Sequence, residues 1–351
     1  MKGVILHGGA GTRLRPLTFT GPKQLIPVAN KPVSQYVVED LVSANIKDIA
    51  IILGNTYPEL VREHYGDGSR FNANITYIEQ GKPLGIAHAV SLAKDFVNDD
   101  RFVVYLGDNL LQYGIKDHLK KFLDEDLDAM VLLKEVDNPS QFGIAVIEDG
   151  KIIRVVEKPK EPISNYALVG VYFLKPMIFD VIKDLKPSWR NELEITDAIQ
   201  LMIEYGYNVG YDIVRGWWFD TGKKDDILYV NALILDERIR YDIRGELTDS
   251  NIVGRVKIED NASIINSEIR GPVIIGRGCI IKGSYIGPYT AIGSNCKIIN
   301  SSIEYSIVLD NAMINNIERM EKCLIGRNAK VMRNTKKALK LNVGDYSEIE
   351  I

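Results

Sequence analysis

Residues 252 to 314 carry an aliphatic side chain at every fifth or sixth position. These positions are Ile252, Ile258, Ile264, Ile269, Ile275, Ile281, Ile286, Ile292, Ile298, Ile303, Val308 and Ile314, and the repeat continues more weakly through Met320, Ile325 and Val331. An α-helix repeats every 3.6 residues, so it cannot bury such a series on one face. The spacing therefore predicts a solenoid of very short strands, each with one inward aliphatic side chain. An irregular all-β cap is the alternative.

Upstream of about residue 238 the chain alternates short apolar runs with helical patterns. Strands are predicted at 4–7, 49–53, 75–78, 102–106, 128–134, 143–147, 152–156 and 167–173, and helices at 33–44, 57–65, 85–96, 194–204 and 223–238. This alternation indicates an α/β, Rossmann-like, mostly parallel sheet with helices on both faces. With 351 residues the chain exceeds the size of one core, so we predict two domains, 1–240 and 241–351, the second ending in a tail.

Charge and cysteine usage exclude several classes of protein. Lys and Arg number 43 against 47 Asp and Glu, so no basic field predicts a nucleic-acid partner. No apolar run approaches the roughly 18 residues of a membrane helix, and the run at residues 4–6 breaks too early for a signal peptide. The three cysteines all lie beyond residue 270 without a CxxC pair. These features predict a cytoplasmic protein without a membrane partner.

The loop that leaves the first predicted strand is suited to phosphate. Residues 8–11 are Gly-Gly-Ala-Gly, and successive backbone N–H groups in such a turn form an anion-binding nest. Arg13 and Arg15 add charge with bidentate phosphate geometry, and Lys23 follows closely in sequence. A tight strand–helix turn with two surface arginines is the alternative. The combination favours a nucleoside triphosphate site.

The segment GGAGTRLRPLTFTGPKQLIPVANKP resembles the signature segment of the sugar-phosphate nucleotidyltransferases. Further motifs follow in order at Gln80 with 85–87, 106–109, 142–143, 156–159, 192–197 and 218–222, so the resemblance covers roughly residues 3–240. Within that family the chain most resembles the long form of glucose-1-phosphate thymidylyltransferase, which carries a C-terminal left-handed parallel β-helix. Two departures, Gly21-Pro22 where Ser-Ala is common and Phe142 where Tyr is frequent, remove no charged group.

The resemblance implies a reaction between a nucleoside triphosphate (dTTP, possibly UTP) and a sugar 1-phosphate, glucose 1-phosphate, with release of pyrophosphate. It implies catalytic roles for Arg13, Lys23 and Lys158, and nucleotide contacts from Gly8, Gly9, Gly11, Thr12, Gln24, Gln80 and Gly85. Sugar-phosphate contacts are implied for Asn109, Gly143, Glu157, Leu168 and Tyr172. Glu157 and Lys158 are neighbours on a predicted strand, so both reach the substrate only if the strand end twists.

A magnesium site is implied at Asp108 and Asp220. Each aspartate leaves a short apolar or aromatic run, and paired carboxylates suit Mg²⁺, which keeps phosphate oxygens in its shell. For Asp108 taken alone, a helix N-cap is the alternative. The four histidines lack the spacing of a zinc site.

Three other functions compete with thymidylyl transfer. A uridylyltransferase would use UTP, and a non-catalytic regulatory paralogue would lack an essential charge, whereas all five expected charged residues are present. An acyltransferase in the C-terminal repeat would need a histidine general base, and no histidine follows His118. We expect the repeat to be structural or to assemble subunits, so a homo-oligomer is predicted.

Overall fold

The structure is a computed structural model that describes residues 1–333. The protein is divided into two compact units. The first unit comprises Met1–Ala10, Gly21–Leu25 and Val33–Asp220, and the second comprises Gly11–Thr20, Ile26–Pro32 and the chain from Thr221 onward. The predicted C-terminal tail lies outside the described residues.

The division differs from the predicted boundary at residue 240, because a helix at Lys224–Arg238 packs with the second unit. Asn231 of that helix is fully buried. Its Oδ1 accepts the backbone N–H of Ala29 at 2.8 Å, and its Nδ2 donates to the carbonyl of Tyr289 at 3.0 Å. One amide thus joins three segments of the second unit that are far apart in sequence.

Up to residue 220 the strands are β1 (Lys2–His7), β2 (Pro27–Val28), β3 (Lys31–Pro32), β4 (Asp48–Leu53), β5 (Asn74–Glu79), β6 (Phe102–Leu106), β7 (Asn109–Leu111), β8 (Ala129–Glu135), β9 (Gly143–Glu148), β10 (Lys151–Glu157), β11 (Tyr166–Leu174), β12 (Val209–Ile213) and β13 (Trp218–Asp220). The helices are α1 (Val33–Ser43), α2 (Pro58–Tyr65), α3 (Ile86–Ser91), α4 (Lys94–Val97), α5 (Lys116–Asp124), α6 (Ile178–Lys183), α7 (Ile195–Glu204) and α8 (Lys224–Arg238). Short 3₁₀ turns lie at Thr12–Leu14, Leu17–Phe19, Lys23–Leu25, Ser69–Phe71 and Pro139–Gln141.

The main sheet of the first unit has nine strands, in the order β10-β9-β11-β6-β1-β4-β5, with β8 on β11 and β12 on β8. The pairs among β6, β1, β4 and β5 are parallel, as predicted. The pair of β12 with β8 is also parallel, whereas the pairs of β11 with β6, β8 and β9 are antiparallel, so the predicted Rossmann-like sheet is confirmed in a mixed form. The neighbouring strands β9 and β10 form a hairpin, and hairpin connections make antiparallel neighbours.

Helix positions follow the apolar spacing of the sequence. In α7, Ile195, Ala198, Ile199 and Met202 are buried at the i, i+3, i+4 and i+7 positions of one helical face. The predicted helix at 85–96 is instead two helices, α3 and α4, separated at Leu92 and Ala93. None of the helices within residues 1–333 combines the length and the apolar character that crossing a membrane requires.

From residue 242 the chain forms three parallel sheets of very short strands. One sheet holds Asp242–Ile243, Val256–Ile258, Val273–Ile275, Thr290–Ile292, Ile307–Val308 and Leu324–Ile325. The second holds Glu246–Thr248, Ser263–Ile265, Ile280–Lys282, Lys297–Ile299, Met313–Asn315 and Lys330–Met332, and the third holds Asn251–Val253, Glu268–Arg270, Tyr285–Ile286, Ser302–Glu304 and Met320–Glu321. The predicted β-helix is confirmed, and its three-sided coil is consistent with the left-handed form.

The repeated aliphatic residues fill the centre of this β-helix. Ile264, Ile281 and Ile298 are register partners on successive coils, and all three are fully buried. At one corner Asn261, Gly278 and Asn295 have left-handed φ values of 59°, 67° and 58°. Glycine and asparagine tolerate this region, which lets the chain turn sharply between strands.

A ladder of serines satisfies the backbone at another corner. Ser250, Ser267, Ser284 and Ser301 follow at intervals of 17 residues, and each hydroxyl accepts the backbone N–H of the next coil at 3.1 Å. Each of these hydroxyls also donates to a carbonyl two residues earlier in its own coil. The serine hydroxyls therefore accept hydrogen bonds from these backbone N–H groups at the corner between two sheets.

Replacing Ser284 by alanine should destabilise the protein by roughly 1–3 kcal/mol, because the buried N–H of Ser301 loses its acceptor. The half-exposed Ser302, outside the ladder, provides the matched control Ser302→Ala. Urea unfolding of both variants measures the difference. Equal stabilities for the two variants would show that the ladder contributes nothing.

Candidate active site

The first strands to form the site are β1 and β6, which end at one edge of the sheet. Leu6 lies opposite Leu106, and the backbone N–H of Gly107 donates to the carbonyl of Leu6 at 2.9 Å. Gly8 and Asp108 follow directly, so the glycine loop and the aspartate leave the sheet side by side. The carboxyl edge of parallel strands is where open α/β sheets bind ligands.

A cavity of about 330 Å³ lies at this edge. Nine of the predicted site residues line it: Gly8, Gly9, Lys23, Gln24, Gln80, Gly85, Asp108, Glu157 and Lys158. The remaining lining residues are Leu6, Ile52, Pro83, Ile86, Ala89, Leu106, Arg190, Glu192 and Glu194. The sequence thus identified half of the lining, including most of its charged groups.

Lys23 and the buried Asp108 form an ion pair in the lining of the cavity. Burial alone would raise the pKa of Asp108, but the Lys23 ammonium and hydrogen bonds hold that pKa below its usual range. The second carboxylate oxygen, Oδ1, accepts from the Asn109 amide at 3.2 Å. Asp108 is therefore an ionised acceptor with a cation beside it.

Two glutamines meet at the glycine loop. Gln24 donates from Nε2 to the carbonyl of Gly8 at 2.5 Å, and its Oε1 is buried without a hydrogen-bond partner among residues 1–333. A β-carbon on Gly8 would lie 3.1 Å from Gln80 Oε1, so the Gln80 amide lies close to the backbone of Gly8. Gln80 Nε2 in turn lies 3.5 Å from the carbonyl of Gly85.

Gly85 joins two parts of the cavity wall. It has a φ of 111°, and a β-carbon there would lie 2.3 Å from the carbonyl oxygen of Leu193. The backbone N–H of Leu193 donates to Leu84 at 2.7 Å, and that of Ala87 donates to Leu193 at 3.0 Å. Glycine is required at residue 85 by its left-handed conformation and by this close approach.

The end of β10 twists so that Glu157 and Lys158 both line the cavity. Lys158 follows the last strand residue with a φ of 42°, a left-handed value that a lysine rarely adopts. Its Nζ lies 3.4 Å from Glu157 Oε1. The twist is the condition under which two neighbouring side chains can serve one substrate.

Arg190 is the principal residue that the sequence did not single out. Its guanidinium lies 3.4 Å from Glu157, 3.1 Å from Glu192 and 3.3 Å from Glu194. Burial raises the pKa of Glu157, against the lowering effect of Lys158. The motif at residues 192–197, which begins two residues after Arg190, was the available signal.

Three of the predicted sugar-contacting residues, Gly143, Leu168 and Tyr172, are not among the residues that line the cavity. A β-carbon on Gly143 would lie 3.2 Å from Glu157 Oε2 and 2.5 Å from Thr196, so its backbone lies close to both. Leu168 and Tyr172 are buried, and burial raises the pKa of Tyr172 above its usual range.

The remaining predicted residues lie outside the cavity lining. Asn109 is buried, with its amide bonded to Trp218 and Asp108. Asp220 is the register partner of Asn109 in the two-stranded sheet of β7 and β13. Gly11, Thr12 and Arg13 belong to the second compact unit, so their contact with a nucleotide stays a prediction.

A family model described as "Nucleotidyl transferase" matches residues 2–237, about two thirds of the chain. The chain belongs to the nucleotidyl transferase family. The predicted resemblance is thereby confirmed, and the ordered motifs of residues 3–240 coincide with the matched region.

Relatives of this nucleotidyl transferase extend the similarity over the C-terminal repeat. The low-salt glycan biosynthesis nucleotidyltransferase Agl11 of Haloferax volcanii is 47% identical over 94% of both chains. A glucose-1-phosphate thymidylyltransferase of Streptomyces antibioticus is 45% identical over 100% of this chain and 99% of its own. A Bacillus anthracis crystal structure in complex with sucrose, also named as a glucose-1-phosphate thymidylyltransferase, has a TM-score of 0.64 at 42% identity, covering 69% of this chain and 98% of its own.

In this nucleotidyl transferase, His7 lies at the end of β1, directly before the glycine loop. It is buried, its Nε2 lies 3.0 Å from the Ser34 hydroxyl, and burial lowers its pKa to about 3. The unfolded chain binds a proton at His7 below about pH 6.5, whereas the folded protein does so only near its lowered pKa. The neutral form of His7 therefore favours the folded state fully above about pH 6.5. This contribution to stability is lost as the pH falls from there toward the lowered pKa.

Between pH 6 and pH 4 the wild type should lose stability relative to His7→Gln, by up to about 1.4 kcal/mol per pH unit. Urea unfolding of both proteins across this range measures the difference, from which the shared carboxyl titrations cancel. Parallel stability profiles for the two proteins would contradict burial of a neutral His7.

Proposed function

We propose that the protein transfers a thymidylyl group from dTTP to glucose 1-phosphate. The observation that carries the proposal is the gathering of Lys23, Lys158 and Arg190 around one cavity beside the glycine loop. An oxygen of the sugar phosphate forms a bond to the α-phosphorus, and the bond to the β-phosphate bridging oxygen breaks, so pyrophosphate leaves. The chain shares its family and full length with relatives named for this activity.

The cations supply positioning and charge neutralisation. Lys23, which pairs with Asp108, is the ammonium that would move to a triphosphate oxygen, while the backbone amides of Gly8 and Gly9 donate to others. Lys158 and Arg190, which line the same cavity and both lie 3.4 Å from Glu157 Oε1, would hold the attacking sugar phosphate. Fixing both phosphates in one cavity makes the attack effectively unimolecular.

The carboxylates around Arg190 suit a sugar. Glu157, Glu192 and Glu194 all contact the guanidinium, so an arginine that turns to a phosphate leaves carboxylate oxygens available to sugar hydroxyls. The backbone of Gly143 lies close to Glu157, and the Thr196 hydroxyl donates to Glu157 Oε2 at 3.3 Å, so both would help to fix the orientation of this carboxylate. Recognition of hydroxyls by buried acceptors discriminates strongly against sugars that lack them.

The proposed reaction uses Mg²⁺, which Asp108 and Asp220 would hold. The residues fit, because Asp220 pairs with the neighbour of Asp108 and both offer the hard oxygen donors that Mg²⁺ prefers. Within residues 1–333 no group of three or more His, Cys, Asp or Glu side chains is arranged for a metal, so phosphate and water would complete the shell. When bound, the ion would neutralise charge on the phosphates.

The base preference is the finer part of the proposal. The amide of Gln80, the backbone of Gly85 and the buried Oε1 of Gln24 offer donors and acceptors for the imide edge of a pyrimidine. A purine would leave such groups unpaired. Thymine differs from uracil by one methyl group, worth about 0.8 kcal/mol or roughly fourfold when buried. A cytoplasmic location and a homo-oligomer remain our predictions.

With glucose 1-phosphate, kcat/KM should be highest for dTTP, lower for UTP and negligible for ATP and GTP, as measured by pyrophosphate release. A purine nucleotide as the best substrate would overturn the proposed base contacts.

Asp220→Asn should lower turnover by roughly 100-fold or more, since it removes the negative charge of a ligand to the ion that stabilises the phosphates. Asp225→Asn, an exposed aspartate five residues later, is the control. Full activity in the presence of EDTA would overturn the proposed role of the metal ion.

Lys158→Asn should raise KM for glucose 1-phosphate by roughly 10- to 100-fold, the value of one charge-assisted hydrogen bond, with little change in KM for dTTP. Asparagine tolerates the left-handed conformation of residue 158, so this variant removes the charge without adding backbone strain. Lys160→Asn at an exposed site is the control. A matching rise in both Michaelis constants would argue against a sugar-phosphate role for Lys158.

A further inference from the structure

The two-stranded sheet of β7 and β13 connects an indole to the candidate metal ligand. Trp218 pairs with Leu111 and Asp220 pairs with Asn109 across this sheet. The indole Nε1 of Trp218 donates to Asn109 Oδ1 at 2.7 Å, and Asn109 Nδ2 donates to Asp108 Oδ1 at 3.2 Å. A continuous chain of hydrogen bonds therefore runs from Trp218 to Asp108.

The chemistry of the indole decides the direction of this chain. An indole N–H can only donate, so the oxygen of the Asn109 amide must face Trp218 and its NH₂ group must face Asp108. A flipped amide would set two donors together at one end and two acceptors at the other. Because Asn109 is buried, water cannot compensate for such a mismatch.

The surroundings leave Asn109 little freedom to move. A β-carbon on Gly170 would lie 3.0 Å from the Asn109 side-chain carbon, so the glycine makes room for the amide. The Trp218 ring centroid lies 5.3 Å from that of the Phe142 ring, so this phenyl ring packs beside the indole. Asp108 consequently has Oδ1 held by Asn109, while its Oδ2 is the oxygen paired with Lys23.

We propose that Trp218 is a positioning residue, which orients Asp108 for a divalent cation by fixing the Asn109 amide. This inference rests on the proposed function, since it concerns the cation that Asp108 would hold. It also reassigns the Asn109 side chain, from contact with the sugar phosphate to support of the carboxylate. Partners of this kind typically change metal affinity by 10- to 100-fold when removed.

The test compares Trp218→Phe, which removes the N–H and keeps an aromatic ring against Phe142, with Trp217→Phe, the same change one residue earlier. Mn²⁺ is titrated into each protein in the presence of dTTP and followed by electron paramagnetic resonance. We expect Mn²⁺ to bind about tenfold more weakly to Trp218→Phe and within twofold of wild type to Trp217→Phe. The Mg²⁺ concentration for half-maximal turnover should shift in parallel, with KM for glucose 1-phosphate unchanged.

A double-mutant cycle with Asn109→Leu separates the chain of hydrogen bonds from simple packing. If Trp218 acts through Asn109, the double variant binds Mn²⁺ as weakly as Asn109→Leu alone. Additive losses overturn the proposal, and so does unchanged Mn²⁺ affinity in folded Trp218→Phe. A failure of Trp218→Phe to fold leaves Asn109→Leu as the deciding variant, whose wild-type-like Mn²⁺ affinity would also overturn it.

The proposed function fails in a different way. Wild-type protein that binds Mn²⁺ with dTTP but does not turn over glucose 1-phosphate overturns the sugar assignment, while the comparison of variants still decides the role of Trp218. Wild-type protein that binds no Mn²⁺ in the presence of dTTP overturns both the metal role of Asp108 and the positioning role of Trp218.

Discussion

The parallel pairing of β1 with β6 sets Leu6 opposite Leu106, so the two strands end together and the loops that leave them start side by side. Lys23 and Asp108 can form an ion pair only because of this register. A slip of one residue would turn Asp108 to the opposite face of the sheet and separate it from the glycine loop. The other residues that line the cavity are arranged around this edge of the sheet.

The antiparallel half of the sheet supplies the other wall. The β9–β10 hairpin ends at Glu157, and the left-handed conformation of Lys158 turns the next side chain into the same cavity. The segment from Arg190 to Glu194 is held against the loop at Gly85 through the backbone of Leu193. Strained conformations and close glycine contacts thus lie where two substrates would meet, as is common at functional sites.

The β-helix is stabilised by contacts between neighbouring coils. Its strands are only two or three residues long, so each coil depends on the aliphatic stack at its centre and on bonded corners. The serine ladder and the left-handed asparagines supply those corners at regular intervals. Because each coil repeats the same solution, the sequence pattern is visible without knowledge of any distant contact.

Those parts of this protein that depend on neighbouring residues could be predicted from the chain without its fold. A five- or six-residue aliphatic period can only line a coil of short strands, so the β-helix was predictable. The glycines after β1 likewise predicted a turn with left-handed φ values, which Gly9 and Gly11 adopt, while the anion-binding role of this turn stays a prediction. Three features became visible only in the folded chain: the sheet is mixed, Arg190 contacts Glu157, and Asn109 bonds to Trp218 and is not part of the cavity lining. Arg190 and Glu157 are separated by 33 positions in the sequence, and Trp218 and Asn109 by 109 positions. No periodicity along the chain encodes pairings at such separations.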